Sequence, residues 1–144
     1  MQRRSLLLVI LLVSALNAWA DDPFVGTWKL DPEKSRGRAS YTPTAKIESV
    51  DANSYRITIA ATGTGKPFSF AVVLDGKEHP YEEGGTHVAS RISERHFVGT
   101  IRGANSSVTT DYEVSPDLKT LTVTRKGTGG ASGRKVDEVI TFHK

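Results

Sequence analysis

Phe24-Val25-Gly26-Thr27-Trp28-Lys29-Leu30 alternates with a period of two. Phe24, Gly26, Trp28 and Leu30 share one face, and Val25, Thr27 and Lys29 share the other. Successive side chains point to opposite faces of a strand, so this stretch reads as a β-strand with one apolar face. The same period recurs along the chain. Residues 44–50 form a weak strand, and 54–61 place Tyr55, Ile57, Ile59 and Ala61 together. Residues 67–74 align Phe68, Phe70, Val72 and Leu74, with Ala71 and Val73 behind them, as in a strand buried on both sides. Strands follow at 86–92, 95–102, 107–114, 119–126 and 134–142.

The breaks carry turn chemistry. Residues 31–38 form a polar break around Pro32, which cannot donate to a ladder. Asp51-Ala52-Asn53 and 62–66 read as turns, and Asp75-Gly76 as a strong turn dipeptide. Residues 77–85 and Gly127–Gly133 read as loops. After residue 20 there are 11 Val, 6 Ile and 15 Thr against 4 Leu. β-Branched residues suit pleated sheets better than helices, and no stretch sustains a helical apolar period. About nine strands with short connections favour an all-β, up-and-down antiparallel barrel of about 8–10 strands. Closure removes exposed edges, and a sandwich would need longer crossovers.

Residues 1–20 stand apart. Arg3-Arg4, the apolar run Leu6–Val13 and the small-x-small site Ala18-Trp19-Ala20 read as a secretory signal peptide. The apolar run is too short for a membrane span. Cleavage near Ala20 leaves one domain, 21–144, expected in the periplasm or outside the cell. The whole chain has 144 residues, 19 basic and 16 acidic, for a net charge of +3. Without its first 20 residues it has 124, with 17 basic and 16 acidic. The basicity is therefore no argument for nucleic acid, and no basic cluster with interleaved aromatics exists. The absence of cysteine excludes a disulfide framework, a thiolate metal site and a cysteine nucleophile.

The stretches PFVGTWKLDPEKS (23–35), LDGKEHP (74–80) and LKTLTVTRKGTG (118–129), with the short terminal strand, resemble the calycin group. They are most similar to small secreted lipocalin-like proteins of bacteria, whose first strand carries a G-x-W motif. The resemblance implies that Gly26 and Trp28 plug one end of a barrel. It also implies a late-strand arginine lying on that tryptophan, matched here by Arg125, with Arg134 as the alternative. Fatty-acid-binding proteins, in the same group, carry a late R-x-Y pair and a helical lid after the first strand. Residues 140–144 lack the pair, and 31–43, with Pro32, Gly37 and Pro43, do not read as helices.

No catalytic constellation is legible. There is no G-x-S-x-G, and His79, His87, His96 and His143 show no metal-ligand spacing. Neither a metal nor a cofactor is expected. Gly63-x-Gly65-Lys66 joins two strands and reads as a hairpin rather than a phosphate loop. Glu138 shares a face with Val136, Ile140 and Phe142, and if that face is inward it needs a partner such as Arg91 or Arg125. Val139 on the other face leaves the phase of this strand open.

The expected function is a non-catalytic exported barrel that binds a small apolar or amphipathic ligand. Tyr55, Phe68, Phe70, Arg91, Phe97, Tyr112 and Phe142 are the inward candidates for binding it. The alternative is a protein-interaction module, such as a protease inhibitor or an envelope-associated partner, with loops 31–43 and 77–85 as its contact surface. A cavity above ~300 Å³ favours the first reading and a side-chain-filled interior the second.

Overall fold

The computed structural model describes residues 21–37, 44–60, 66–129 and 133–144. The expected signal segment, residues 38–43 of the expected contact loop, all of the 62–66 turn but Lys66, and part of the Gly127–Gly133 loop lie outside them. Ten strands follow in chain order: β1 Gly26–Arg36, β2 Thr44–Asp51, β3 Ser54–Ala60, β4 Phe68–Val73, β5 Asp75–Pro80, β6 Thr86–Ser93, β7 His96–Arg102, β8 Ser107–Val114, β9 Thr120–Gly129 and β10 Arg134–His143. Among the described residues there is no helix. The strands form one antiparallel sheet in the order β4-β3-β2-β1-β10-β9-β8-β7-β6-β5. The first and last strands pair, with Leu30 opposite Phe142 and Asp31 opposite Thr141. The sheet thus curls into a nearly closed barrel. Among the described residues its ladder is interrupted between β4 and β5.

The departures from the sequence reading have local causes. β5 lies where the sequence predicts a loop, because an edge strand needs no apolar alternation. Its residues are almost all exposed, and Pro80 ends it where no partner asks for its N–H. Asp75-Gly76 therefore does not close a hairpin; it starts an edge strand, with a register shift before Glu78. As the other edge, β4 exposes Ala71 and buries one face only, so it is not covered on both sides.

β1 runs through the expected break at 31–36 because side chains replace its ladder. A register shift separates Asp31 from Arg36. Across it, the Asp31 carboxylate accepts from the Glu33 and Lys34 N–H groups. The Ser35 hydroxyl donates to Asp31 O and accepts from Thr141 N–H at 2.9 Å. The Thr141 hydroxyl donates to Lys34 O. This bulge buries Thr141, which explains why both faces of β10 are partly covered. The inward face is the one bearing Ile140 and Phe142. β9 likewise continues to Gly129, since Gly127 lets β8 come close: its φ is +138°, and a Cβ there would overlap Ser107 O.

The closed end is built on Trp28, which is fully buried. Its Nε1–H donates to Phe24 O at 2.8 Å, so the one polar atom of the indole is satisfied. The cation over its ring is Lys144, with Nζ 4.8 Å from the centroid, and not Arg125, which lies elsewhere. Gly26 makes room for it. A Cβ at residue 26 would sit 3.0 Å from Lys144 Cε. Above the indole, Phe24, Tyr55 and Phe97 pack as a cluster with centroids 4.8–5.6 Å apart.

Truncating a fully buried tryptophan leaves a cavity as well as lost transfer energy. Trp28→Ala is expected to lower unfolding free energy by about 3–5 kcal/mol. Urea denaturation followed by circular dichroism checks this, and an unchanged midpoint refutes the placement.

Candidate functional site

The interior above the aromatic cluster is not filled. An apolar chamber of about 170 Å³ is lined by Ile47, Ile57, Ile59, Phe68, Phe70, Val123 and Phe142, among others. Inward positions of β2, β3, β4, β9 and β10 supply these side chains, as the period of two dictates. Their size sets the space: isoleucines and valines face one another where the closed end has three aromatic rings. The chamber opens toward the end of the barrel opposite Trp28. There a wider, polar mouth of about 780 Å³ is lined by residues that include Glu83, Arg125, Arg134, Lys135, Asp137 and Glu138. Tyr81, Ile101 and Arg125 line both spaces and so form the neck between them.

The neck is held from two sides. Tyr81 lies just after β5 and packs edge-on against Phe70 and His87, at 6.4 and 6.3 Å. Phe70 in turn stacks on Phe68. This aromatic row covers the β4–β5 discontinuity from within. On the other side, Arg125 of β9 stands directly opposite Glu138 of β10. Arg125 Nη1 donates to Glu138 Oε2 at 2.9 Å. Glu138 is 13% exposed and Arg125 40%, so the carboxylate is the more deeply seated partner.

Two hydroxyls face the chamber. Thr110 lies opposite Arg125 and Tyr112 opposite Val123, both on β8. Neither side-chain oxygen has a hydrogen-bond partner among the described residues, and no fully buried polar atom is left unsatisfied. Both oxygens therefore remain available to whatever occupies the chamber. Burial pushes the Tyr112 phenol up to about 12, with Arg125 acting the other way. The ring of Tyr112 stacks on Phe97 at 4.5 Å, so it is the floor of the chamber and the top of the cluster beneath. Burial holds His87 below the usual imidazole range, with His79 adding to the effect. His87 lies over Gly99, where a Cβ would meet its Nε2 at 2.7 Å.

The residues expected to bind ligand thus divide into two groups. Phe68, Phe70, Tyr112 and Phe142 line the chamber. Tyr55, Arg91 and Phe97 do not; they belong to the closed end. The Tyr55 hydroxyl donates to Asp22 Oδ2 at 2.6 Å and accepts from Arg91 Nη2 at 3.1 Å. Burial, then the Asp22 carboxylate, raises the Tyr55 phenol to about 12, against the pull of Arg91. Gly26 and Trp28 sit at the closed end, whereas Arg125 sits at the neck. Tyr81, Ile101 and Thr110 were not legible as lining residues, because residue 81 falls in a polar segment and the other two are ordinary strand positions. Among the described residues no group of His, Asp and Glu side chains could hold a metal ion. No helix among them is long and apolar enough to cross a membrane.

The barrel shares its fold with solved structures of low sequence identity. Similar solved structures include a Schistosoma mansoni fatty acid binding protein in complex with arachidonic acid, with a TM-score of 0.61 at 18% identity. That alignment covers 85% of this chain and 96% of the other. The fatty-acid-binding protein 1 of Echinococcus granulosus gives 0.58 at 16% identity, covering 85% and 97%. A mutant of the fluorescent protein UnaG gives 0.59 at 18%, covering 85% and 96%. No protein-family model and no curated protein matches the sequence. At these identities the likeness is one of fold.

The two raised phenols set an alkaline limit. In the folded chain Tyr55 and Tyr112 hold their protons to about 12. In the unfolded chain they release them near ~10. The unfolded state sheds protons first as pH rises, so this stabilisation is complete below about pH 10 and falls between about 10 and 12. Melting temperatures over that window should decline, and Tyr112→Phe should flatten the decline. An identical slope in the variant refutes a buried, protonated Tyr112.

Proposed function

We propose that this protein is an exported, non-catalytic barrel that binds a small amphipathic molecule, with the apolar part in the chamber and the polar part at the mouth. The observation that carries it is the change in lining along the barrel axis. A partly enclosed apolar space leads past Tyr81, Ile101 and Arg125 into a wider opening lined by charged side chains. Ligand pockets are mostly apolar with a few convergent polar groups, and Thr110, Tyr112, Arg125 and Glu138 are such groups. Neighbours in fold, among them a fatty acid binding protein and a fatty acid transporter, support the reading by analogy. Export rests on the composition of residues 1–20 alone. The chamber, at about 170 Å³, falls short of the ~300 Å³ expected of a ligand pocket, yet side chains do not fill it, which supports a small ligand over an interaction module with a filled barrel.

Toluene is a direct probe of the chamber, since a dry apolar cavity of ~150 Å³ accepts a ring of that size. Titration followed by methyl resonances should shift Ile57, Ile59 and Val123 and leave Val50, on the outer surface, unmoved. No shift in the chamber methyls refutes the reading. Native mass spectrometry of protein purified from the cell envelope of its host should also show a co-purifying small molecule.

A further inference from the structure

The chamber is small. At about 170 Å³ it falls below the ~300 Å³ at which drug-sized ligand pockets begin. It is close to the ~150 Å³ of an apolar cavity that takes one benzene. A long acyl chain cannot be housed there without displacing the rings of Phe68, Phe70 and Phe142. Tyr81, Ile101 and Arg125 line both spaces, so a ligand longer than the chamber must pass these side chains and extend into the mouth.

The polar end is equally selective. Among the described residues lining the mouth, Arg125, Arg134 and Lys135 are matched by Glu83, Asp137 and Glu138. Asp137 is also paired with Arg36 at 3.0 Å, so the opening carries both signs with a slight basic excess, and discrimination by charge falls to the pair at the neck. At the neck itself the two charges are a joined pair. A bound monoanion would gain the Arg125 guanidinium and at the same time face the Glu138 carboxylate, which is shielded from water and so little screened. A monocation meets the reverse problem. A head carrying both charges can offer its anion to Arg125 and its cation to Glu138, extending the pair into a four-charge array.

The geometry points to a compact zwitterionic amphiphile as the ligand: an apolar part about the size of one ring in the chamber, and a head bearing one positive and one negative charge at the Arg125–Glu138 pair. This rests on the ligand-binding reading above and narrows it. It separates the chain from carriers of long-chain acids by two independent features, the volume of the chamber and the carboxylate paired with the neck arginine. Arg125 and Glu138 are the specificity-determining residues.

Calorimetry with four probes tests it on the chain from residue 21 onward: phenylalanine (zwitterion), 3-phenylpropionate (anion), phenethylamine (cation) and oleate (long chain). Phenylalanine should bind at least tenfold more tightly than either single-charge analogue, and oleate should neither bind nor compete. Glu138→Gln removes the carboxylate charge while keeping its shape. It should raise affinity for 3-phenylpropionate about tenfold and lower that for phenylalanine by a similar factor. Equal affinities for phenylalanine and 3-phenylpropionate, tight binding of oleate by the unaltered chain, or unchanged selectivity in Glu138→Gln each overturns the inference. If toluene enters the chamber but no ring-bearing zwitterion binds, this inference fails and the ligand-binding reading stands. If toluene is also excluded, both fail.

Discussion

The indole of Trp28 is the joint on which the barrel closes. Its N–H is taken by Phe24 O, which fixes the chain entering β1. Its face is covered by Lys144, which fixes the chain leaving β10. The side chain therefore ties the first and last strands of the chain, which are neighbours in the middle of the sheet, to one point beside the seam where Leu30 faces Phe142. A sheet with free ends would leave two hydrogen-bonding edges beside each other. Here the seam between the first and last strands is paired, and the remaining discontinuity is moved to β4 and β5. Gly26 belongs to the same joint, because a larger residue would push Lys144 off the ring. The contact costs little: the indole is already buried by its neighbours, and Lys144 stays exposed, where such contacts contribute about 0.5–1 kcal/mol.

Closure at one end leaves a packing problem at the other, and side-chain size along the strands decides its outcome. Near the joint, Phe24, Tyr55, Phe97 and Tyr112 fill the cross-section in two stacked tiers. One tier higher the inward residues are Ile57, Val123 and Ile140, with Thr110 and Gly99 on the far wall. These cannot meet across a ten-stranded barrel, since diameter grows with strand number. The chamber is the space left over. Its lower wall rests on packed rings, whereas in the row of Phe70, Tyr81 and His87 the first lies on edge strand β4 and the second just past edge strand β5. The variable part of the site is therefore the neck.

What the sequence made legible was direction, and what it hid was height. The period of two assigns Tyr55, Phe68, Phe70, Phe97, Tyr112 and Phe142 to the inward face, and burial puts all six inside. Alternation says nothing about where along the barrel axis a residue lies. That depends on strand register, which is set by pairs such as Phe97 with Tyr112 and Ile57 with Phe70. Hence Tyr55, Arg91 and Phe97 joined the closed end while their neighbours joined the chamber. β5 and the second half of β1 were hidden for another reason. The first is an exposed edge, and the second is held by hydroxyl and carboxylate groups where alternation would have been visible. Lys144 was hidden because it lies just past β10, where no periodic signal marks it.

Arg125 has the same inward phase whether it sits at the closed end or at the open one, so alternation could not separate the two. Register with Glu138 places it at the open end. There its charge has a different consequence from a clamp on an indole. A partly buried ion pair adds little stability by itself, because desolvation offsets much of the attraction. Breaking it by removing one partner is the costly step, since a charge is then left facing an apolar chamber. The pair thus fixes the register of β9 against β10 and, in the proposed reading, presents two opposite charges at a set distance to a ligand. The same cost that makes the pair hard to break makes a singly charged ligand a poor substitute for either member. A ligand carrying both charges asks neither residue to let go.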